Sequence, residues 1–343
     1  MSSTNVQYKE PTRLVADKLG ILRTIDNVSM LEDLAHEAFQ NKGGELWREI
    51  QRLLFTINLR LMDSGFGLGK LRSESDWRIR NVIERVEQAY LPREDVPIEL
   101  TNYDDFLTWL KGRIALHRVN SHALFDFFDR GDITAEECRY FLSNYRVNMQ
   151  RFHLHVAAYS LIVPFQMRQE LYDNLYDEFG QGNFAQAHPN LFEPLMKHYG
   201  GAKESDHNAE TYHLLNTKIS LCWFADGLHY GLGGLGALEL SIPAQQKRVL
   251  AYLRRRGLSE ELVKFFVVHC ELDGEHGDGW FAAGKPYTHT RRHFQKVFDG
   301  AMRMLEARAG VYDGVLNGII AQRATAAASG PASRPLAIAQ AAQ

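Results

Sequence analysis

Apolar residues recur along most of this chain at spacings of three and four, the period of a helix with one buried face. Between residues 46 and 61 the positions Leu46, Ile50, Leu53, Leu54, Ile57 and Leu61 fall on one stripe. Trp77, Ile79, Val82, Ile83 and Val86 repeat the pattern, and so do Phe106, Leu107, Leu110 and Ile114. A long helix is expected to begin near Thr134, where Thr134 and Glu137 make a capping-box pattern after the turn-like Arg130-Gly131-Asp132. It is expected to run to about Ile162, before Pro164, with a second segment resuming toward Phe179. Further helices are predicted at 187–199, 208–240, 243–256, 259–276 and 288–312. Alternating β-branched runs are nearly absent, and no repeat of about 20 to 50 residues stands out. The expected fold class is therefore all-α.

The best break in the pattern is LPREDVP at residues 91–97. It divides an expected N-terminal helical extension, 1–95, from a larger helical core, 96–323. From Ala324 the composition falls to Ala, Ser, Pro and Gln, so 324–343 are expected to form a disordered tail. Hydrophobic residues make up 45% of the 343, ample for a real core, and the formal charge of −3 lacks the basic excess of a nucleic-acid binder. The opening MSSTNVQYKEPTR has no apolar secretion signal, and no run reaches the roughly 18 apolar residues of a membrane span. Cys138, Cys222 and Cys270 are odd in number and far apart, which implies no disulfide framework. These features lead us to expect a cytoplasmic protein with no nucleic-acid or membrane partner.

The stretch from His269 to His276 carries the strongest chemical signal. At about 100° per residue, Asp273 lies about 40° past His269 and His276 about 20° before it, so all three share one helix face. Two imidazoles and a carboxylate in one line suit a redox-active metal, and iron accepts that mixture; a solvated helix end is the plain alternative. Gly274 and Gly277 fall in the turn that carries His276, each costing about 1 kcal/mol relative to alanine in a helix interior. Either a functional site breaks the rule there, or the helix stops at Gly274 and leaves His276 in a loop.

A metal pair needs ligands from facing helices. Glu178 and His188 are candidates, but on an unbroken helix they would stand about 15 Å apart, so Gly180 and Gly182 would have to break the helix between them. Glu239 is a third, a lone acid in GLGGLGALELSIP. Among apolar neighbours it needs a partner, unless it simply faces water where Ile242-Pro243 closes the segment.

The succession Glu178, nine residues, His188, then Glu239, then His269-x3-Asp273-x2-His276 resembles the haem-oxygenase-like di-iron oxidases and oxygenases. HALFDFFDRGDITAEE from His122 is similar to that family's lead-in to its first core helix. NLYDEFG from Asn174 is similar to its first metal motif, and RAGVYDGVL from Arg308 to its closing helix, so the likeness spans roughly residues 117–316. The resemblance implies a haem-oxygenase-like helical bundle in which Glu178, His188, Glu239, His269, Asp273 and His276 hold two non-haem Fe(II) ions. With O2 as co-substrate and an external electron donor, it implies chemistry through a peroxo-di-iron(III) species on a small-molecule substrate. N-oxygenation of a small amine, amino acid or guanidine-type substrate in specialised metabolism is the favoured outcome. Oxidative C–C cleavage or decarboxylation of an amino or fatty acid is the alternative, because N-oxygenating relatives are expected to carry an extra Glu on the helix before Glu178. Only Glu170 stands there, too close to serve; His153 or His155 could substitute, with core or surface histidines as the plainer alternative.

Rival readings use other residues. Glu210-x-x-His213 is the element that ferritin-like bundles use twice, but Asp33 with His36 and Asp273 with His276 only approximate a second copy. Haem-binding and metal-free proteins share the haem-oxygenase fold. A non-enzymatic helical interaction protein remains open too, although acids and histidines inside runs such as VKFFVVHCELD are costly to bury without a metal. Arg291 and Arg292 could meet a substrate carboxylate or simply start a helix. The N-terminal helical region is a candidate surface for a homodimer.

Overall fold

The computed structural model describes residues 28–66 and 74–329, and among these every regular element is helical. Three helices come first among the described residues, α1 (Val28–Gln40), α2 (Glu45–Phe66) and α3 (Glu74–Tyr90). Their apolar stripes close on one another around Leu31, Phe39, Trp47, Ile50, Ile57 and Ile83. An extended stretch then leads to α4 (Tyr103–Leu116), a short α5 (Leu124–Arg130), α6 (Ala135–Met149), α7 (Phe152–Ile162), α8 (Arg168–Glu178) and α9 (His188–His198). The long elements follow: α10 (Ala209–Trp223), α11 (Leu228–Arg255), α12 (Glu260–Gly284) and α13 (Arg291–Ser329). α11 lies at the centre, packed along both α12 and α13. A large aromatic core including Phe106, Phe125, Phe192, Phe266, Trp280 and Phe294 surrounds it.

Caps set several starts where the sequence places them. Thr134 and Glu137 form the reciprocal capping box of α6, and the Asn208 side chain accepts from the Thr211 N–H to cap α10. Elsewhere the boundaries move. The helix expected from 134 to 162 is two, because at Gln150-Arg151 the ladder slips to a three-residue bond from Arg151 N–H to Asn148 O, 3.4 Å. The element expected over 208–240 also divides, at residues 224–227, where Gly227 takes a left-handed φ of +91°. By contrast α11 runs straight through Pro243, which was expected to end it. Ile242, Gln245, Gln246 and Val249 are all buried beyond or beside that proline, so packing outweighs the one lost backbone bond, to the Glu239 carbonyl.

α12 likewise passes through Gly274 and Gly277 to Gly284, eight residues beyond its expected end, so His276 is helical and not in a loop. Close helix approach accounts for Gly277: a Cβ there would lie 2.7 Å from Leu240 Cγ on α11. Gly236 of α11 is reciprocal, since its Cβ would lie 2.7 Å from the Phe281 ring of α12. α13 continues to Ser329, so residues 324–329 of the expected tail are helical, while 330–343 lie outside the described residues.

The first three helices join the rest through polar groups as well as apolar ones. Asn58 Nδ2 donates to Asn216 Oδ1 at 3.1 Å, and Asn216 donates to Gln51 Oε1 at 2.9 Å, tying α2 to α10. Glu87 of α3 accepts from Arg303 of α13 at 2.7 Å and pairs with His213 of α10 at 2.8 Å. No helix among the described residues is long and apolar enough to cross a membrane.

Candidate metal centre

Glu178 is the last residue of α8. After it Gly180 (φ +73°), Gln181 (φ +54°) and Gly182 (φ +87°) reverse the chain, and His188 opens α9. A side chain at Gly180 would also strike the Ala187 backbone nitrogen, 2.6 Å from a Cβ, so the turn admits only glycine there. Two helix ends thus meet, and His188 Nδ1 stands 3.0 Å from Glu178 Oε1, in a direction that makes no hydrogen bond. Glu239 reaches the same place from the middle of α11, and His269, Asp273 and His276 from one face of α12.

The six expected side chains come together as two groups, Glu178 with His188 and His269, and Glu239 with Asp273 and His276. Within each group the potential ligand atoms lie within 4.8 Å of one another, and all six residues are buried. Burial and its carboxylate neighbours push Asp273 well above the usual carboxylate range. Burial also pushes Glu239 up to about 7, with Glu178 adding to the rise against an opposing pull from His276. His269 is held well below its ordinary value, first by burial and then by His188. Three carboxylates and three imidazoles gathered in a buried interior are a costly arrangement without a cation to share, and a suitable one with it.

Local contacts support the same fit. Asp273 Oδ2 and His188 Nδ1 are buried without a hydrogen-bond partner, as atoms reserved for another ligand would be. The rings of α12 are held at their far nitrogens: His269 Nδ1 donates to Phe265 O at 2.8 Å, and His276 Nε2 donates to Asp177 Oδ2 at 2.9 Å. Each bond fixes a tautomer that leaves the other ring nitrogen free for a metal. Asn174 adds a long 3.4 Å contact to Glu239 Oε1. Imidazole and carboxylate in this proportion suit iron.

Other candidates belong to neither group, although Glu170 is near enough to feel His276 and His153 near enough to feel Glu178. His213 faces the N-terminal helices, where it holds Glu87 and packs on Trp47, 5.1 Å between rings, and Glu210 lies against Gly310 and Gly314 of α13. His36 of the Asp33/His36 pair bonds Tyr90. His153 packs edge-on against Phe179, and His155 is buried with both ring nitrogens unpaired. Glu170 packs against Gly279 of α12, and Arg291 and Arg292 are exposed at the start of α13.

Beside the groups lies a cavity bounded by Glu178, Glu239, His269 and Asp273 and by apolar side chains of α6, α10 and α13. It leaves about 50 Å³ to the centres of water-sized molecules, the room of a few waters or one small organic molecule. Lys218 and Arg308 also line it, and neither was singled out in the sequence. Burial drives the Lys218 amine down to about 7, and Arg308 drives it further the same way. A signal for Lys218 existed, since it is the lone charge in LLNTKISLCWF.

Known proteins resemble this chain at the same place. The sequence profile of the iron-containing redox enzymes matches residues 139–309, a span that holds all six side chains. A 4-chloro-allylglycine synthase of Streptantibioticus cattleyicolor is 22% identical over 215 residues, 62% of this chain and 82% of that protein. A CADD-like protein of unknown function from Nostoc punctiforme superposes with a TM-score of 0.54 at 17% identity, covering 63% of this chain and 97% of that one. A domain of unknown function with a haem-oxygenase-like fold from Shewanella denitrificans gives 0.51 at 15%, over 70% and 99%. The fold is thus haem-oxygenase-like and all-α, and with the profile lying over the two ligand groups, the chain belongs to the iron-containing redox enzymes.

Proposed function

We propose that this protein is an O2-activating non-haem di-iron enzyme that oxidises a small amine-bearing substrate, an amino acid foremost. The observation that carries the proposal is the pair of adjacent buried groups, each with at least one histidine and one carboxylate. Glu178, His188 and His269 would hold one iron, and Glu239, Asp273 and His276 the other. An iron pair supplies the electrons and the O2 activation that side chains cannot. The protein's own part is geometric. Phe265 O and Asp177 aim two imidazoles, and the apolar wall excludes water from a cavity sized for a small substrate. An external donor returns electrons between turnovers.

Two outcomes at the substrate follow from this site. N-oxygenation is the one the sequence favours. Oxidative C–C cleavage is supported by the Streptantibioticus relative, whose name describes formation of an amino acid bearing an alkene. A hydroxylamine or nitro product identifies the first, and an alkene with a lost carbon fragment the second.

Anaerobic Fe(II) titration tests the proposal. Two irons per chain are expected, followed by O2 consumption that amino acids accelerate, and His269→Ala should reduce both the iron count and the O2 uptake. A chain that takes up no iron, or whose iron does not react with O2, overturns the di-iron reading.

A further inference from the structure

The cavity holds two buried cations that the metal groups do not use. Arg308 is 6% exposed and Lys218 4%. Neither forms an ion pair with any described residue, although buried guanidinium and ammonium groups in proteins are ordinarily paired. Arg308 is tied at Nε and also meets the Tyr145 hydroxyl on the cavity wall. Its Nε donates to Gln245 Oε1 at 3.0 Å and to Tyr312 Oη at 2.9 Å, and Tyr312 in turn donates to Gln245 at 2.7 Å. Its Nη2 is buried with no partner at all. Lys218 meets the face of Phe152, 5.6 Å from the ring centre, and forms no hydrogen bond to any described residue. A third polar side chain on the same wall, Asn148, is 7% exposed with both its amide oxygen and nitrogen unpartnered.

Such groups cost free energy wherever they stay unsatisfied, so their concentration on one cavity wall points to a ligand. The charge balance gives the sign of that ligand. Two divalent cations against Glu178, Glu239 and Asp273 leave one positive charge, and the Arg308 guanidinium adds another before Lys218 is counted. The free edge of a guanidinium held at Nε presents the planar fork that matches a carboxylate.

We propose that Arg308, with Lys218 and Asn148, forms a carboxylate-binding subsite that makes the substrate an amino acid anchored by its carboxylate, with the rest of the molecule directed to the metal groups. This rests on the oxygenase reading and deepens it by naming the substrate class and the residues that select it. The subsite discriminates between an amino acid and the amine left after its decarboxylation.

The test is equilibrium binding, measured anaerobically by calorimetry on the Fe(II)-loaded protein and in parallel on the metal-free protein. The probes are the twenty common L-amino acids together with the amines that lack their carboxylates. At least one amino acid should bind about 10- to 100-fold more tightly than its amine. Arg308→Gln should abolish that preference, and Arg308→Lys should recover only part of it. Iron stoichiometry and the circular-dichroism melt should stay those of the parent in both variants, which separates loss of the subsite from loss of the fold. Binding of amines as tight as that of amino acids, binding unaltered in Arg308→Gln, or no carboxylate bound in the panel each overturns the subsite. Those results leave the di-iron reading standing if two irons are bound and react with O2. Absence of iron with a carboxylate preference intact would instead remove the oxygenase reading and keep the subsite.

Discussion

Asp177 and Glu178 are neighbours in sequence with different work. Glu178 points into the first ligand group, while Asp177 accepts from His276 Nε2 across the second at 2.9 Å. A carboxylate behind a ligand imidazole fixes its orientation and raises its basicity, and its loss ordinarily lowers metal affinity about 10- to 100-fold. Asp177→Asn keeps the size and loses the charge, so Fe(II) titration of this variant should show one of two binding steps weakened about tenfold. An unchanged titration would mean that Asp177 does not position His276. At this scale the sequence was legible where residue types were incongruous. An apolar setting marked Glu239 and His269, helical spacing added Asp273 and His276, and the family resemblance drew in Glu178 and His188. Arg308 escaped because an arginine on a long helix reads as a solvated one, whereas Lys218, the lone charge in an apolar run, carried a signal that was passed over. Asp177 escaped as well, since its partner lies 99 positions away.

Helices carry these residues, and their approach depends on where glycine replaces a side chain. In α12 two glycines three positions apart make opposite predictions. A methyl at Gly277 would press on Leu240, 2.7 Å away, and on the Gly236 carbonyl at 3.1 Å, so Gly277→Ala should destabilise by about 1–3 kcal/mol. Nothing lies within 4 Å of a Cβ at Gly274, so Gly274→Ala should stabilise the metal-free protein by up to about 1 kcal/mol through helix propensity. Urea melts of both variants decide it: two shifts of the same sign would refute the packing account. The helix periods themselves were plain in the sequence, and their ends were not. Proline and glycine are local signals, but the burial of Ile242, Gln245 and Gln246 overrides Pro243, and contact with α11 overrides Gly277. The break at Gln150-Arg151 carries neither residue, so nothing in the sequence announced it.

At the scale of the whole molecule, the N-terminal helices are held to the core by buried charge as well as by apolar area. Burial alone would raise Glu87, but Arg303 and then His213 outweigh it and pull its carboxyl from 4.5 to about 2. Glu84 shares the cluster, accepting from Arg80 at 3.0 Å and from Ser220 at 2.9 Å, and standing 3.8 Å from Arg303. A carboxylate depressed in the folded state adds stability that is fully present above its unfolded value, 4.5, and that is lost as pH falls toward 2. The full shift is worth on the order of 3 kcal/mol. Glu87→Gln leaves the buried Arg303 only its longer 3.8 Å pair with Glu84, so at pH 7 it should destabilise by about 3 kcal/mol. Its stability should also fall less steeply than the parent's as the solution is acidified through that window. Chemical melts at a series of pH values from 7 down to 2 measure both effects. If the N-terminal helices are held mainly by their apolar seam, the two proteins will lose stability in parallel. If the Glu87–Arg303–His213 cluster is the fastening, the curves converge at low pH, because protonation then does to the parent what the substitution has already done to the variant.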